Sequence, residues 1–371
     1  MPEPKTAVDA GSAPISGNPT HVPSTKPVGS QRTEVPHRTR TWPSPISAIQ
    51  ANAGSAAEGS NENLMASDTV PNDTHGLDSG LVAAPYAVFR SLPDPWRGWL
   101  SLRSTRRWLR ATRFAARHNR RVAADVLGFN FHPMRPEPNM SIAHVMRRLG
   151  VRIQFGPAET GVNLAWDTGT WFSPKAARQL PASAINARCL DISKTTVDRI
   201  WSEVAGYTIA VDPLTTVGPL VEKPDENGRR GGRVVQGPLN SRKAGTVYQR
   251  LVDTRVGDRV LQIRPVILCG EIVLVYEKWR EFPYWFQAAE LTVPKTVRDF
   301  FSEEQQAQLL RFADAIGLDY GELDVVRDEA TRLIYVVDAN RTPMRPKGLP
   351  DESEDAAFGP QAEAFRALLS R

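Results

Sequence analysis

From about residue 140 onward, the spacing of apolar positions switches between a helical period and a strand period. MSIAHVMRRLG puts Ile142, Val145, Met146 and Leu149 on one helical face and stops at Gly150, and VRIQF after it reads as a strand. GVNLAWDTGTWF is a second apolar run, so residues 140–181 read as a small open α/β unit. ISKTTVDRIWSEVAGY is a helix with Val197, Ile200, Trp201 and Val204 at helical spacing and Gly206 beyond its end. The period then falls to two through GPLVEKP, GRVVQGP, TVYQRLVD, RVLQIRPVIL and EIVLVYEKW, with Cys269, Gly270 and Glu271 as a tight hairpin turn between the last two. One more helix, SEEQQAQLLRFADAIG, opens at Ser302 with Glu304 in its first turn and closes at Gly317; the strands GELDVVRD and RLIYVVDAN follow. No internal repeat is present.

The pattern fails before this region. Residues 1–80 are rich in Pro, Ser, Thr, Ala, Gly and Asn without a sustained apolar period, and a segment that buries so little cannot offset an ordering cost of roughly 1–2 kcal/mol per residue. A disordered tail is expected there. Residues 96–121 are rich in Arg and Trp; Trp108, Leu109, Phe114 and Val122 can form one docking face with the arginines solvated, or the basic and aromatic residues can meet anionic lipid or nucleic acid.

Composition narrows the classes. The chain has 371 residues and 41% hydrophobic content, enough for two compact domains with their own cores. Its longest apolar runs fall well short of the roughly 18–20 residues a spanning helix needs, and MPEPKTAVDAGSAPISG lacks the basic start and apolar stretch of a leader. Two cysteines far apart, Cys189 and Cys269, fit no metal-ligand spacing and suggest a reducing cytoplasm. The formal charge of +5 is compatible with nucleic acid, and equally with arginines and lysines gathered around phosphates. The histidines form no HxxxH or triad-like set.

The candidate chemistry lies late in the chain. Pairing the strands of LDYGELDVVRDEATRLIYVVDANRTP brings Asp324 beside Asp338 and Asn340, a hard-oxygen set suited to Mg²⁺ shared with phosphates. Two solvated strand-end acids and a turn asparagine would show the same pattern. In LVEKPDENGRRGGRVV, Gly231 and Gly232 let backbone N–H groups approach phosphate and Lys223 adds a point charge, although a β-hairpin with Asn-Gly looks similar. Arg264 is suited to bidentate contact with phosphate or carboxylate; a cross-strand pair with Glu277 is the structural alternative.

In order and spacing these residues resemble the ATP-grasp superfamily, in particular its glutathione-synthetase and ribosomal-protein-glutamate-ligase branch. The resemblance covers about half the chain and lies in the collinear order Lys194, Lys223, glycines, Gln249, Arg264, Asp324, Asp338, Asn340, with Thr342-Pro343 after it. It implies an α+β fold: a two-lobe ATP-grasp-like domain over 184–371, preceded by a basic, Trp-rich helical segment and a small pre-ATP-grasp-like α/β unit over 81–183. It further implies that Asp324, Asp338 and Asn340 hold Mg²⁺, with Mn²⁺ as an alternative ion. The second acid of the family is commonly Glu; here it is Asp338, one methylene shorter.

Lys194 and Lys223 then match the ATP lysines, Gly231 and Gly232 the flexible loop, and Gln249, Arg250, Leu251 and Val252 the hinge strand against adenine, with Asp253 toward ribose. Arg264 matches the family's strand arginine, and Lys278 or Arg280 matches a basic residue on the partner strand. The implied activity is a cytoplasmic Mg-ATP-dependent ligase joining a carboxylate to an amine or thiol through an acylphosphate, with Arg264 and Arg280 as catalytic groups. Two rivals remain: a small-molecule kinase on the same fold, and a basic nucleic-acid- or membrane-binding protein with a vestigial nucleotide site.

Overall fold

The computed structural model describes residues 94–370 apart from Arg230; the tail expected over 1–80 lies outside the described residues. Helix α1, Asp94–Asn119, leads into a three-stranded parallel sheet: β1 (Gly128–Pro133) lies between β2 (Arg152–Phe155) and β3 (Val162–Trp166). Parallel neighbours need a crossover, and α2, Ser141–Leu149, makes it from β1 to β2. Its Ile142, Val145 and Met146 are buried, and Gly150 ends it at φ 65°, a left-handed conformation that costs glycine little.

The docking of α1 corrects the expected face. Ala111 and Ala115 are buried with Phe114 beside them, whereas Trp108 and Leu109 are 41% and 37% exposed. At the helix's end the His118 ring meets the Val151 carbonyl at 2.7 Å and Asn119 Nδ2 donates to the Ile153 carbonyl at 2.8 Å. The small Ala111 and Ala115 let the helix lie close to the parallel sheet, whereas Trp108 and Leu109 border a hollow against residues 134–140.

After the one-turn α3 (Pro174–Ala177) comes α4, Lys194–Ala205, capped by Ser193 Oγ accepting from the Thr196 N–H at 3.3 Å. A small antiparallel sheet follows, with β4 (Gly218–Pro224) between β5 (Arg233–Gly237) and β6 (Thr246–Arg250). The large antiparallel sheet runs β10-β9-β8-β11-β12, with β7 (Arg255–Val256) beside β8. Its strands are β8 (Arg259–Leu268), β9 (Glu271–Glu281), β10 (Leu291–Lys295), β11 (Tyr320–Arg327) and β12 (Ile334–Asn340). The turn between β8 and β9 has positive φ at Cys269 and at Gly270, as a two-residue hairpin requires.

Alternation along the large sheet decides where the cavity opens. Ile263, Ile267, Val275, Leu323 and Val336 face α4 and α5 (Glu303–Ile316), forming one core. Val266, Tyr276 and Tyr320 face the opposite way, against β1–β3, α2 and the C-terminal helix α6 (Glu354–Leu369), whose Phe358 and Phe365 are fully buried. Each such side chain contributes roughly 1.5–3 kcal/mol of transfer free energy. Where this second face reaches the cavity its positions turn polar, with Gln262 and Arg264 on β8, Arg280 on β9, Asp324 on β11 and Asp338 on β12. Among the described residues, no helix is long and apolar enough to cross a membrane.

Candidate functional site

A cavity of about 340 Å³ lies between the small and large sheets, with Lys194, Lys223, Gln249, Arg264, Asp324 and Asp338 on its wall. Gly231, Gly232, Arg250, Leu251, Val252 and Arg280 also line it. Asp253, Lys278 and Asn340 do not.

On the large sheet, Asp324 of β11 stands directly opposite Asp338 of β12. The register then slips: Val325 pairs with Val336, leaving Val337 as an extra residue. This bulge puts Val337 and Asp338 on the cavity wall together and frees the Val337 carbonyl, which accepts from Lys223 Nζ at 3.0 Å. Lys223 thus bridges the sheets. Burial lowers its pKa to about 8, against the upward pull of Asp338.

Arg264, on β8, is held by two carboxylates. Its Nη1 donates to Glu322 Oε2 at 2.9 Å, and its Nε is in ion-pair contact with Asp324. Burial opposes the guanidinium charge, but Asp324 and Glu322 outweigh it and push the pKa up. The two facing acids are driven apart: burial raises Asp338, whereas Arg264 and Lys278 overcome burial at Asp324 and lower it. Lys278 is lowered to about 7 by burial and by Arg264. Glu322 is 1% exposed, its Oε1 has no hydrogen-bond partner among the described residues, and burial raises its pKa.

The loop between β4 and β5 is pinned at its root. Lys194 Nζ donates to the Glu226 carbonyl at 2.9 Å and lies 4.0 Å from Asp338 Oδ2, while Asn227 Nδ2 donates to the Ala339 carbonyl at 2.9 Å. Farther along, Gly231 has φ 143°, a region side chains disfavour. At Gly232 a Cβ would come within 2.7 Å of the Phe286 ring, so the loop lies directly under an aromatic side chain from the segment between β9 and β10. Arg280 anchors that segment through Nε to the Gln287 carbonyl at 2.7 Å.

Three sequence candidates are engaged elsewhere. Asn340 Oδ1 accepts from the Thr342 N–H at 3.1 Å and closes the turn after β12. The Asp253 carboxylate accepts from Arg255 Nε at 2.9 Å, in an adjoining hollow. Lys278 is 7% exposed and lies off the cavity wall. Sequence reading missed Glu322 as a partner of Arg264, and also Asn227, Trp285 and Phe286; the even spacing of Glu322 with Asp324 was the one available signal. It also missed Arg341, fully buried, which donates to the backbone carbonyls of Asp167, Gly169 and Cys189 and ties the end of β12 to the parallel-sheet unit.

Among the described residues no group of three or more His, Cys, Asp or Glu is arranged to hold a metal ion. Asp324 and Asp338 instead offer facing hard oxygens on one cavity wall with Lys194, Lys223 and Arg264 around them. That set fits a Mg²⁺ shared with phosphate oxygens, and does not form a cage of protein ligands alone.

No family model matches this chain, and no curated protein matches it. Among solved structures it is similar to the ATP-grasp ligase PsnB complexed with precursor peptide PsnA2 and AMPPNP, at 12% identity and TM-score 0.43, over 66% of this chain and 97% of that chain. It is also similar to D-cycloserine synthetase DcsG, at 14% identity and TM-score 0.39, over 65% and 99%. In the complex of PsnB with a minimal precursor, at 19% identity and TM-score 0.34, the match covers 48% of this chain and spans 60% of the length of PsnB. The architecture itself, two antiparallel sheets facing across a cavity with a small parallel sheet before them, is the α+β arrangement that the sequence resemblance implies.

Proposed function

We propose that this protein is a Mg-ATP-dependent ligase that joins a substrate carboxylate to an amine or thiol, working in the cytoplasm where ATP is supplied. The observation that carries this reading is the facing pair Asp324 and Asp338 with Lys194, Lys223 and Arg264 around it in one cavity. A triphosphate needs several cations and hard-oxygen ligands for its metal, and phosphoryl transfer depends chiefly on positioning and charge neutralisation.

In this proposal residues 184–371 form the catalytic domain, and residues 81–183 contribute to the acceptor pocket. Gln249 to Val252 lie against adenine, with Lys194 and Lys223 on the phosphates under the Gly231–Gly232 loop. Asp324 and Asp338 hold Mg²⁺, which neutralises phosphate charge. Asn340 joins the metal only if it gives up its turn contact. A carboxylate oxygen attacks the γ-phosphorus as the bond to ADP breaks; the acceptor then attacks the acyl carbon and phosphate leaves with the bonding electron pair. Arg264 and Arg280 bear on the charge developing at the transferred group.

Incubation with Mg-ATP and pooled carboxylic acids, amines and thiols tests this. The expected outcome is ADP, phosphate and a product lighter than its two substrates by one water. A phosphorylated product without free phosphate would indicate a kinase, and ATP left intact by every pool would overturn the reading.

A further inference from the structure

The ligase reading leaves the outer face of α1 unused, and that face has a distinct composition. Residues 94–121 contain nine arginines, no lysine and one acid, in a chain whose total formal charge is only +5. Arg106, Arg110, Arg113, Arg117 and Arg120 recur at spacings of four and three, so they form one stripe along the helix, roughly 21 Å long at about 1.5 Å per residue. All five are exposed. Glu137 engages Arg107 at 2.6 Å and Arg110 at 3.6 Å; Arg106, Arg113, Arg117 and Arg120 have no side-chain hydrogen bond or ion pair among the described residues.

Beside the stripe is a hollow of about 820 Å³ between α1 and residues 134–140, walled by Trp108, Leu109, Arg110, Met134, Arg135 and Glu137. Arg135 is fixed there, donating to Thr112 Oγ1 at 2.8 Å and lying 4.7 Å from the centre of the Phe155 ring. Trp108 stands at the edge, 41% exposed.

We propose that the stripe, together with the hollow that Arg106, Arg110 and Arg113 share with Trp108, is a docking surface for single-stranded nucleic acid, the strand passing from phosphate contacts on the outer stripe round the helix to a base stacked on Trp108 in the hollow. Arginine recurring about once per turn, without lysine, suits repeated bidentate phosphate contact, and an exposed indole beside a hollow gives a base a π-face. A membrane is the poorer fit, because a surface-seeking helix needs its apolar side free. Among the described side chains of α1, Ala111, Phe114 and Ala115 pack on the protein's own core, and only Trp108 and Leu109 of its large apolar residues are exposed. An acidic polypeptide has no use for the stacking surface.

The test uses the full chain and a fluorescent single-stranded oligonucleotide of about 20 nucleotides, titrated by anisotropy at roughly 50–300 mM salt. Each phosphate contact adds about −0.7 to the slope of log affinity against log salt. Converting Arg106, Arg113, Arg117 and Arg120 together to Gln is expected to reduce the slope by about 3. Trp108→Ala is expected to weaken binding about tenfold with the slope unchanged. Unaltered melting of both variants separates lost binding from lost folding. No binding at the lowest salt, equal or tighter binding to anionic phospholipid vesicles, duplex DNA or polyglutamate, or no effect of Trp108→Ala would each overturn the proposal.

Discussion

The two sheets that enclose the cavity hold their functional groups in different ways. On the large sheet, Arg264 is held by ion pairs to Asp324 and buried Glu322, and Asp338 stands in register opposite Asp324 on the next strand. On the small sheet, Lys223 of β4 reaches across, Asn227 ties the root of the loop to the Ala339 carbonyl, and among the described residues the Gly231–Gly232 segment lies against the ring of Phe286. One wall is preorganised and the other is adjustable. In the proposed reaction the first acts on the transition state and the second on ground-state nucleotide binding, a division that kinetics can break or sharpen.

The largest effect is expected at Asp338. Asp338→Asn keeps volume and removes charge, so turnover should fall by roughly 10²-fold or more and the Mg²⁺ requirement should rise. Nucleotide-free melting should hold, because burial already penalises this carboxylate. A Mg²⁺ titration of ATP cleavage beside melting curves decides it: unchanged Mg²⁺ dependence in a folded variant removes the metal assignment. Next comes Arg264→Lys, for which about 10²-fold lower turnover with near-normal ATP affinity is expected, since a lysine cannot contact Glu322 and Asp324 as a fork. Equal losses in binding and turnover would mean that the large sheet binds uniformly and the comparison fails.

The adjustable wall should show the reverse split. Gly232→Ala puts a methyl where the Phe286 ring lies, so ATP affinity should drop about tenfold with turnover at saturation little changed. Adding Phe286→Ala should restore affinity. Binding calorimetry on the single and double variants checks the pair, and a double variant no better than the single would show that the ring is not the obstacle.

What could be read in advance follows the same division. Strand period and turn chemistry brought out β4, β8, β9, β11 and β12 and the facing of Asp324 with Asp338, because alternation is a local property of each strand. The bulge at Val337 has no such local signature, so the acceptance of Lys223 by its carbonyl was invisible. Asn340 and Asp253 illustrate a second limit. Each was legible as a polar group at a plausible position, but whether it faces a ligand or a neighbour depends on Thr342 and Arg255 respectively, contacts that only the folded chain defines. The aromatic segment with Phe286 lies between β9 and β10, distant in sequence from the glycines it covers.

The smallest effect tests the adjustable wall through protons. Lys223 has its pKa lowered to about 8 by burial, so at pH near 8.5 most of the ligand-free protein carries it neutral. Phosphate beside the amine favours the charged form, and nucleotide binding should therefore take up a fraction of a proton and weaken as pH rises through about 8. Stability should move the other way. Between about 8 and the ordinary lysine value the unfolded chain holds a proton that the folded chain has released, so this group's contribution to stability rises with pH across that window. Calorimetry of ATP binding in two buffers of different ionisation heat measures the uptake directly, and Lys223→Arg, charged throughout, should abolish it. Lys278, lowered to about 7, lies off the cavity wall and should persist only as a small residual. Proton uptake that survives intact in Lys223→Arg would move the adjustable charge from the small sheet to the large one and dissolve the distinction between the two walls.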